Sequence, residues 1–158
     1  MSGMVDYPSP AHNFAKGCSF KTTAIGWQCL GRTMKEMIEV GDSKKYGPYS
    51  PGIKSRGIVW LSGQIAPEAG VDIKLQTKAS LEKIDRLLAA AGIGRDAVCF
   101  AQVLLADIND FSSMNEVYGE WLDDVAIKPA RAAFQAAALP ANALVEIVIQ
   151  AVDQNYRE

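Results

Sequence analysis

Residues 128 to 152 of this chain read KPARAAFQAAALPANALVEIVIQAV. The pattern predicts two strands, at 130–139 and 143–152, on either side of a turn at 140–142 where proline and asparagine interrupt the apolar run. The second strand is apolar on both of its alternating sides. A sheet with one face in water would instead alternate apolar with polar residues, so we expect both faces of this sheet to be buried. If helices cover one face, another copy of the chain must cover the other, which predicts a homo-oligomer.

Two charged residues, Arg131 and Glu146, stand within these apolar strands. An unpaired buried charge is costly, so each group is expected to have a partner, a ligand or water. Two interpretations stay open from the residues alone. The first is a structural ion pair, formed within one subunit or across subunits, and the second is a site that binds a charged ligand.

The preceding residues predict two helices and further strands. Strands are expected at 37–40, 58–61 and 98–108, and a helix at 75–91 that is closed by Gly92. The buried residues predicted for this helix are Leu81, Ile84, Leu88 and Ala91. A second helix is expected to begin with Asn109 or Asp110 as its N-cap and to bury Phe111, Met114, Val117 and Trp121. This order of elements favours an α+β sandwich in which two helices cover one face of a single sheet.

Length and charge limit the class of protein. With 158 residues the chain fits one domain, and its formal net charge of −2 gives no basic footprint for nucleic acid. The longest uncharged run, 132–145, is interrupted by proline and asparagine, so no membrane span is expected. Neither nucleic acid nor a membrane is therefore a predicted partner.

Cysteine and histidine usage excludes several kinds of site. The three cysteines, Cys18, Cys29 and Cys99, form no CxxC pair, and His12 is the single histidine. This pattern predicts reduced thiols, no metal site and no Ser-His-Asp triad. We expect a cytoplasmic protein. The basic, acid-free stretch at 14–32 leaves a mitochondrial location as the alternative.

Five motifs, in their order and spacing, resemble the RidA/YjgF family, which is also called the L-PSP endoribonuclease family. They are GPYSPGI (47–53), VWLSGQIAP (59–67), NEVYGEW (115–121), KPARAAF (128–134) and LPANALVEIVIQAV (139–152). The resemblance extends over residues 37–153. We therefore divide the chain into an N-terminal extension, 1–33, and a RidA-like domain, 34–158.

The resemblance implies both a fold and an activity. The fold is a chorismate-mutase-like α+β sandwich, with one mostly antiparallel sheet and two helices on one face, assembled as a homotrimer with ligand sites between subunits. The implied activity is that of an enamine/imine deaminase. Such enzymes hydrolyse reactive 2-imino or 2-enamino acids, such as 2-iminobutanoate and 2-iminopropanoate, to 2-keto acids and ammonia without a cofactor.

The same resemblance assigns roles to individual residues. It implies that Arg131 binds the substrate carboxylate and that Glu146 acts with water as the second catalytic residue. The other substrate-binding residues that it implies are Tyr49, Ser62, Gly63 and Asn115. The chemistry agrees with these roles, because a guanidinium fork fits a carboxylate and a carboxyl group among apolar neighbours has a raised pKa that suits proton transfer.

Three departures from the family pattern leave the substrate open. Ala132 and Ala133 follow Arg131, Pro51 follows the GPYS motif, and the extension has no counterpart in compact members. A pathway-specific deaminase of a larger enamine, such as an aminomuconate or a biosynthetic intermediate, is one alternative. A non-catalytic ligand-binding or chaperone-like trimer is another. Ribonuclease activity lacks support, because the chain has no basic stripe.

Overall fold

The structure, a computed structural model, describes residues 35–41 and 47–156, together with the backbone of 19–23 and 26–30. The predictions for His12 and Cys18 lie outside this part of the chain. Two compact units divide between Met34 and Lys35. In the first unit, β1 (Ser19–Thr23) pairs antiparallel with β2 (Gly26–Leu30). This hairpin was not predicted, because the sequence shows no sustained period there.

The second unit is built on one six-stranded sheet. Its strands are β3 (Glu36–Ile38), β4 (Gly52–Ser55), β5 (Ile58–Gln64), β6 (Val98–Leu105), β7 (Ala130–Gln135) and β8 (Val145–Val152). They lie in the order β3-β4-β5-β8-β6-β7, and every neighbouring pair is antiparallel except β6 and β7. The prediction of one mostly antiparallel sheet is confirmed. The strand β4 was missed, since its residues follow a loop rich in proline and glycine.

Two helices cover one face of this sheet, as the sequence predicts. The first, α1, runs Ile73–Ala90, and the carboxylate of Asp72 caps it by accepting a hydrogen bond from the Leu75 amide at 3.0 Å. It ends before Gly92, whose φ of 76° is the left-handed conformation expected of a helix-closing glycine. The second, α2, runs Phe111–Trp121. Within the described residues, neither helix is apolar enough over a sufficient length to span a bilayer.

The core lies between the helices and the sheet. Alternate residues of the central strands point toward the helices and are almost completely buried, among them Val59, Leu61, Val103, Ile147 and Ile149. The other alternation forms the opposite face, which we call the bare face. It carries Trp60, Leu104 and Val148, which are half-buried, and Ile58, Phe134 and Val152, which are exposed. A second copy of the chain covering this face stays a prediction.

Two local predictions hold only in part. The side chain that caps the entry to α2 belongs to Asp107, which accepts a hydrogen bond from the Asn109 amide at 2.9 Å and opens a 3-10 turn that leads into the helix. Asp110, one of the two predicted N-cap residues, is the N-cap of α2, but its side chain makes no capping hydrogen bond. The strand predicted at 130–139 ends at Gln135, and most of its residues are exposed, because β7 is an edge strand with one neighbour.

Candidate active site

Glu146 lies on the bare face of β8. Its neighbours Val145 and Ile147 are fully buried in the core, so alternation turns the glutamate to the opposite side of the sheet. There the side chain is half-buried. Burial raises the pKa of this carboxyl group above its usual value of 4.5. The desolvated carboxyl group that the sequence predicts at this position is present.

A β-bulge in β5 makes room for that carboxyl group. Leu61 pairs with Ile149 and Gln64 pairs with Ile147, so three residue steps on β5 match two on β8. The extra length falls at Ser62 and Gly63. A Cβ on residue 63 would overlap the Glu146 carboxyl group, with Cδ at 2.6 Å. Gly63 is therefore required by this close approach, and we call Ser62, Gly63 and Glu146 the carboxyl cluster.

The segment that contains Tyr49 is tied to the carboxyl cluster through its backbone. The Ser62 hydroxyl donates to the Ser50 carbonyl at 2.8 Å, and the Ser62 amide donates to the Pro51 carbonyl at 2.9 Å. The side chain of Tyr49 is 39% exposed and so is accessible to a ligand. Because its proton is engaged, the Ser62 hydroxyl can act toward a ligand only as an acceptor in this arrangement.

The side chain of Arg131 lies on the helix-covered face of the sheet, away from the carboxyl cluster. On β7 the residue pairs with Ala101, which faces the helices, and its own side chain reaches α2. Its Nη1 donates to Oδ1 of Asn115 at 2.7 Å. The guanidinium carbon stands 4.8 Å from the ring centroid of Tyr118 and 5.6 Å from that of Phe111. We call these four residues the guanidinium cluster.

The ion-pair interpretation of Arg131 and Glu146 is wrong within a single chain. Arg131 is exposed, and the partner of its guanidinium is an amide oxygen. Arg131 is exposed because β7 is an edge strand. The apolar sequence of β7 does not indicate this edge position.

Tyr118 and Phe111 contact Arg131 in the candidate site, and the sequence did not indicate either contact. Phe111 was assigned only to the buried stripe of α2. With Asn115 they occupy positions i, i+4 and i+7, so the helix places all three on one face. Burial raises the pKa of Tyr118, and the nearby Arg131 charge opposes that rise. The spacing was visible in the sequence, but nothing there indicated that Arg131 would pack against it.

The two clusters do not meet within one chain. Arg131 is on the helix face of β7 and Glu146 on the bare face of β8, with β6 between these strands. Glu146 pairs with Leu104, and Arg131 pairs with Ala101, which lies three residues earlier on β6. Standard strand spacings then put the two Cα atoms about 14 Å apart.

Other chemistry finds little support among the described residues. No group of three histidine, cysteine, aspartate or glutamate side chains in this part of the chain could hold a metal ion. Cys99 is a free, exposed thiol at the start of β6, whereas the side chain of Cys29 lies outside the described atoms. The candidate site is therefore described by one guanidinium group and one carboxyl group.

Comparisons with known proteins identify the family. The profile described as Endoribonuclease L-PSP matches residues 42–153. A RutC family protein of Pyrococcus horikoshii is 42% identical over 121 residues, covering 72% of this chain and 94% of that protein. The chloroplastic Reactive Intermediate Deaminase A of Arabidopsis thaliana is 38% identical over 107 residues, covering 64% of this chain and 56% of that protein.

Solved structures agree with these sequence matches. The crystal structure of Escherichia coli TdcF with bound serine superimposes with a TM-score of 0.69 at 33% identity, covering 75% of this chain and 98% of TdcF. The ordered motifs, the sheet with its two helices and these matches agree over the same residues. The chain belongs to the endoribonuclease L-PSP family, the RidA/YjgF family that its motifs resemble.

Proposed function

We propose that this protein is a cofactor-independent deaminase that hydrolyses 2-imino and 2-enamino acids to 2-keto acids and ammonia. The observation that carries the proposal is the half-buried carboxyl group of Glu146, whose pKa is raised and which lies against a glycine on the bare face. A carboxyl group with a pKa closer to neutrality exchanges protons with water more effectively than an exposed one. The name of the Arabidopsis relative supports the same class of reaction.

Arg131 binds the substrate carboxylate in this proposal. Its side chain is exposed, and among the described residues its Nε and Nη2 have no hydrogen-bond partner. These two donors form a planar fork that matches the two oxygens of a carboxylate. The bound serine of TdcF shows that this relative accepts a small molecule that carries a carboxylate.

Glu146 moves the protons of the hydrolysis. Its carboxylate takes a proton from water while the water oxygen bonds to the imine carbon, and it returns that proton to the imine nitrogen. Glu146 then takes the hydroxyl proton of the resulting carbinolamine and passes it to the nitrogen. The C–N bond breaks as the C=O bond forms, so ammonia leaves with the 2-keto acid. Each turnover consumes one imine and one water, so the reaction needs no redox partner.

A second copy of the chain completes the site. In a 2-imino acid the carboxylate is bonded directly to the imine carbon, so the groups that bind each must lie within a few ångströms of one another. Arg131 and Glu146 of one chain are on opposite faces and about 14 Å apart by strand spacing. We infer that Arg131 of one subunit acts with Glu146 of another, in clefts of a homotrimer whose bare faces are covered by neighbouring copies.

Steady-state kinetics tests the proposal. Imines are generated in situ from several amino acids by an amino-acid oxidase, and their loss is followed above the spontaneous rate. We expect Arg131→Ala and Glu146→Gln to remove the acceleration while gel filtration shows an unchanged assembly. Arg86→Ala and Glu120→Gln are matched controls, because both residues are exposed and lie outside the two clusters. An intact trimer that accelerates none of these imines would contradict the deaminase assignment for small substrates.

A deaminase of a larger enamine acid is the second candidate. The observation that favours it is the pair of small residues after Arg131, of which Ala132 is exposed and Ala133 half-buried. Ala133 lies on the same face of β7 as Arg131 and leaves space beside the guanidinium group, whereas Ala132 leaves space on the bare face. A series of precursors of increasing side-chain length separates the candidates, because the second one predicts that kcat/KM rises with length.

A further inference from the structure

We propose that Phe111, Asn115 and Tyr118 form a positioning platform on α2 that decides which edge of the Arg131 guanidinium group meets the substrate. This inference rests on the proposed function in one respect, namely that a carboxylate is the ligand of Arg131. None of the three residues needs to touch the substrate. They act through the arginine.

The hydrogen bond from Arg131 to Asn115 selects the edge. A guanidinium group offers two forks to a carboxylate, one formed by Nη1 with Nη2 and the other by Nε with Nη2. Asn115 Oδ1 accepts from Nη1 at 2.7 Å, and Nη1 belongs to the first fork but not to the second. The Nε and Nη2 edge keeps both donors free within the described part of the chain, so the carboxylate is bound side-on.

The two rings hold the plane of the guanidinium group. Its central carbon is 4.8 Å from the Tyr118 ring centroid and 5.6 Å from that of Phe111, within the range of about 6 Å in which a cation is attracted to an aromatic face. An exposed arginine otherwise samples many rotamers and loses that freedom when it binds a ligand. The platform lowers this entropic cost before the substrate arrives.

Tyr118 is fixed by the core and contributes its ring. The residue is 6% exposed, and its ring centroid is 5.8 Å from that of Trp121. Its hydroxyl is buried and has no hydrogen-bond partner among the described residues. The hydroxyl therefore cannot reach a ligand from this position, and the aromatic face is the part that acts on Arg131.

Substitutions separate the ring from the hydroxyl. We expect Tyr118→Leu to raise KM roughly tenfold with a much smaller change in kcat, because it weakens a grip present in both the bound substrate and the transition state. Tyr118→Phe keeps the ring and should restore KM to within about twofold of the wild type. If Tyr118→Phe raised KM as much as Tyr118→Leu, the hydroxyl would be the important group and the platform would be wrong.

Val117→Ala is the matched control for stability. Val117 lies on the same helix, is half-buried and packs against the core, but takes no part in the guanidinium cluster. A variant that is merely less stable has fewer folded molecules, so its apparent kcat falls while KM stays constant. We expect Val117→Ala to lower the apparent kcat with KM unchanged. Tyr118→Leu should instead raise KM with a much smaller change in kcat.

A binding measurement distinguishes failure of the platform from failure of the deaminase assignment. Calorimetry with 2-ketobutyrate measures carboxylate binding without turnover, and we expect the affinity to fall roughly tenfold in Tyr118→Leu. Imine turnover with unchanged KM and affinity in that variant would overturn the platform and leave the deaminase standing. If Tyr118→Leu lowered the affinity for 2-ketobutyrate but the wild type hydrolysed no imine, the platform would be supported and the deaminase assignment overturned. Absence of both turnover and 2-ketobutyrate binding in the wild type would overturn both.

Discussion

Gly63 and Glu146 are packed so closely that the glutamate carboxyl group occupies the space of a side chain at residue 63. The two residues lie on neighbouring strands, at the bulge between β5 and β8. The position of the carboxyl group is therefore set by the backbone of the adjacent strand. Because the carboxyl group packs against the backbone of a bulge and not against a flexible side chain, its neighbour moves little and its position is well fixed.

Gly63→Ala should displace the Glu146 carboxyl group and lower kcat by about a hundredfold or more, since misplacement by an ångström is enough for such a loss. We expect the free energy of unfolding to fall by about 1–3 kcal/mol from overpacking. Imine hydrolysis and urea unfolding measure the two effects.

The matched control for Gly63→Ala is Gly119→Ala in α2. A Cβ there would meet nothing within 4 Å. Gly119→Ala should therefore keep full activity and raise the unfolding free energy by about 0.4–1 kcal/mol. If Gly63→Ala and Gly119→Ala were equally active, the close approach of Gly63 to Glu146 would play no part in the mechanism.

Arg131→Lys should raise KM for imino acids about tenfold to a hundredfold. Lysine keeps the positive charge but has no planar fork and cannot stack in the same way on Tyr118. The kinetics should be compared at low and high salt. If the charge alone mattered, the lysine variant would match the wild type at low ionic strength.

Glu146 should titrate above its ordinary pKa of 4.5, because burial disfavours the charged form. Since the ionised form takes the proton from water, kcat/KM should fall as the pH drops through that raised pKa. A carboxyl resonance of labelled glutamate that is missing from Glu146→Gln reports the titration independently of activity. A midpoint at or below 4.5 would contradict the desolvated environment.

Much of the sheet and both helices could be predicted from the sequence. The apolar period of α1 with its closing glycine, and the apolar alternation of β8, are properties of short segments that depend little on the rest of the chain. The sequence likewise identified an arginine and a glutamate as candidate site residues. An arginine and a glutamate in apolar strands require an explanation wherever the strands lie.

The remaining features depend on contacts between distant segments. Nothing near Arg131 indicates that β7 is an edge strand or that Tyr118 lies beneath the guanidinium group, because both follow from the order of strands. The separation of Arg131 from Glu146 likewise requires the register of three strands. Sequence spacing alone had left an ion pair between them open.

Asp85 links α1 to the last residue of α2, so its removal should destabilise the fold. It accepts two hydrogen bonds from Arg95, at 2.9 Å and 2.7 Å, and one from Nε1 of Trp121 at 2.9 Å. Asp85→Ala would leave the buried indole N–H unpaired, and we expect the unfolding free energy to fall by about 2–3 kcal/mol. Asp124→Ala is the control, because its carboxylate is 3.8 Å from Arg95 and 77% exposed. Similar losses in both variants would contradict the role of the Trp121 hydrogen bond.

Asp153 should make stability depend on pH. Its carboxylate pairs with Lys54 at 2.7 Å and accepts from the Asn155 amide at 2.9 Å, and these contacts, the Lys54 hydrogen bond first, hold its pKa below the ordinary 3.8. The unfolded chain therefore binds the proton more readily, so the stabilisation is present above the ordinary pKa and is lost as the pH falls toward the lower folded one. Urea unfolding from about pH 6 to about pH 3 should show the difference in unfolding free energy between wild type and Asp153→Asn shrinking with acid, and Asp123→Asn, at an exposed residue, is the matched control. A difference that stayed constant over this range would mean that Asp153 acts through its shape and hydrogen bonds rather than through its charge.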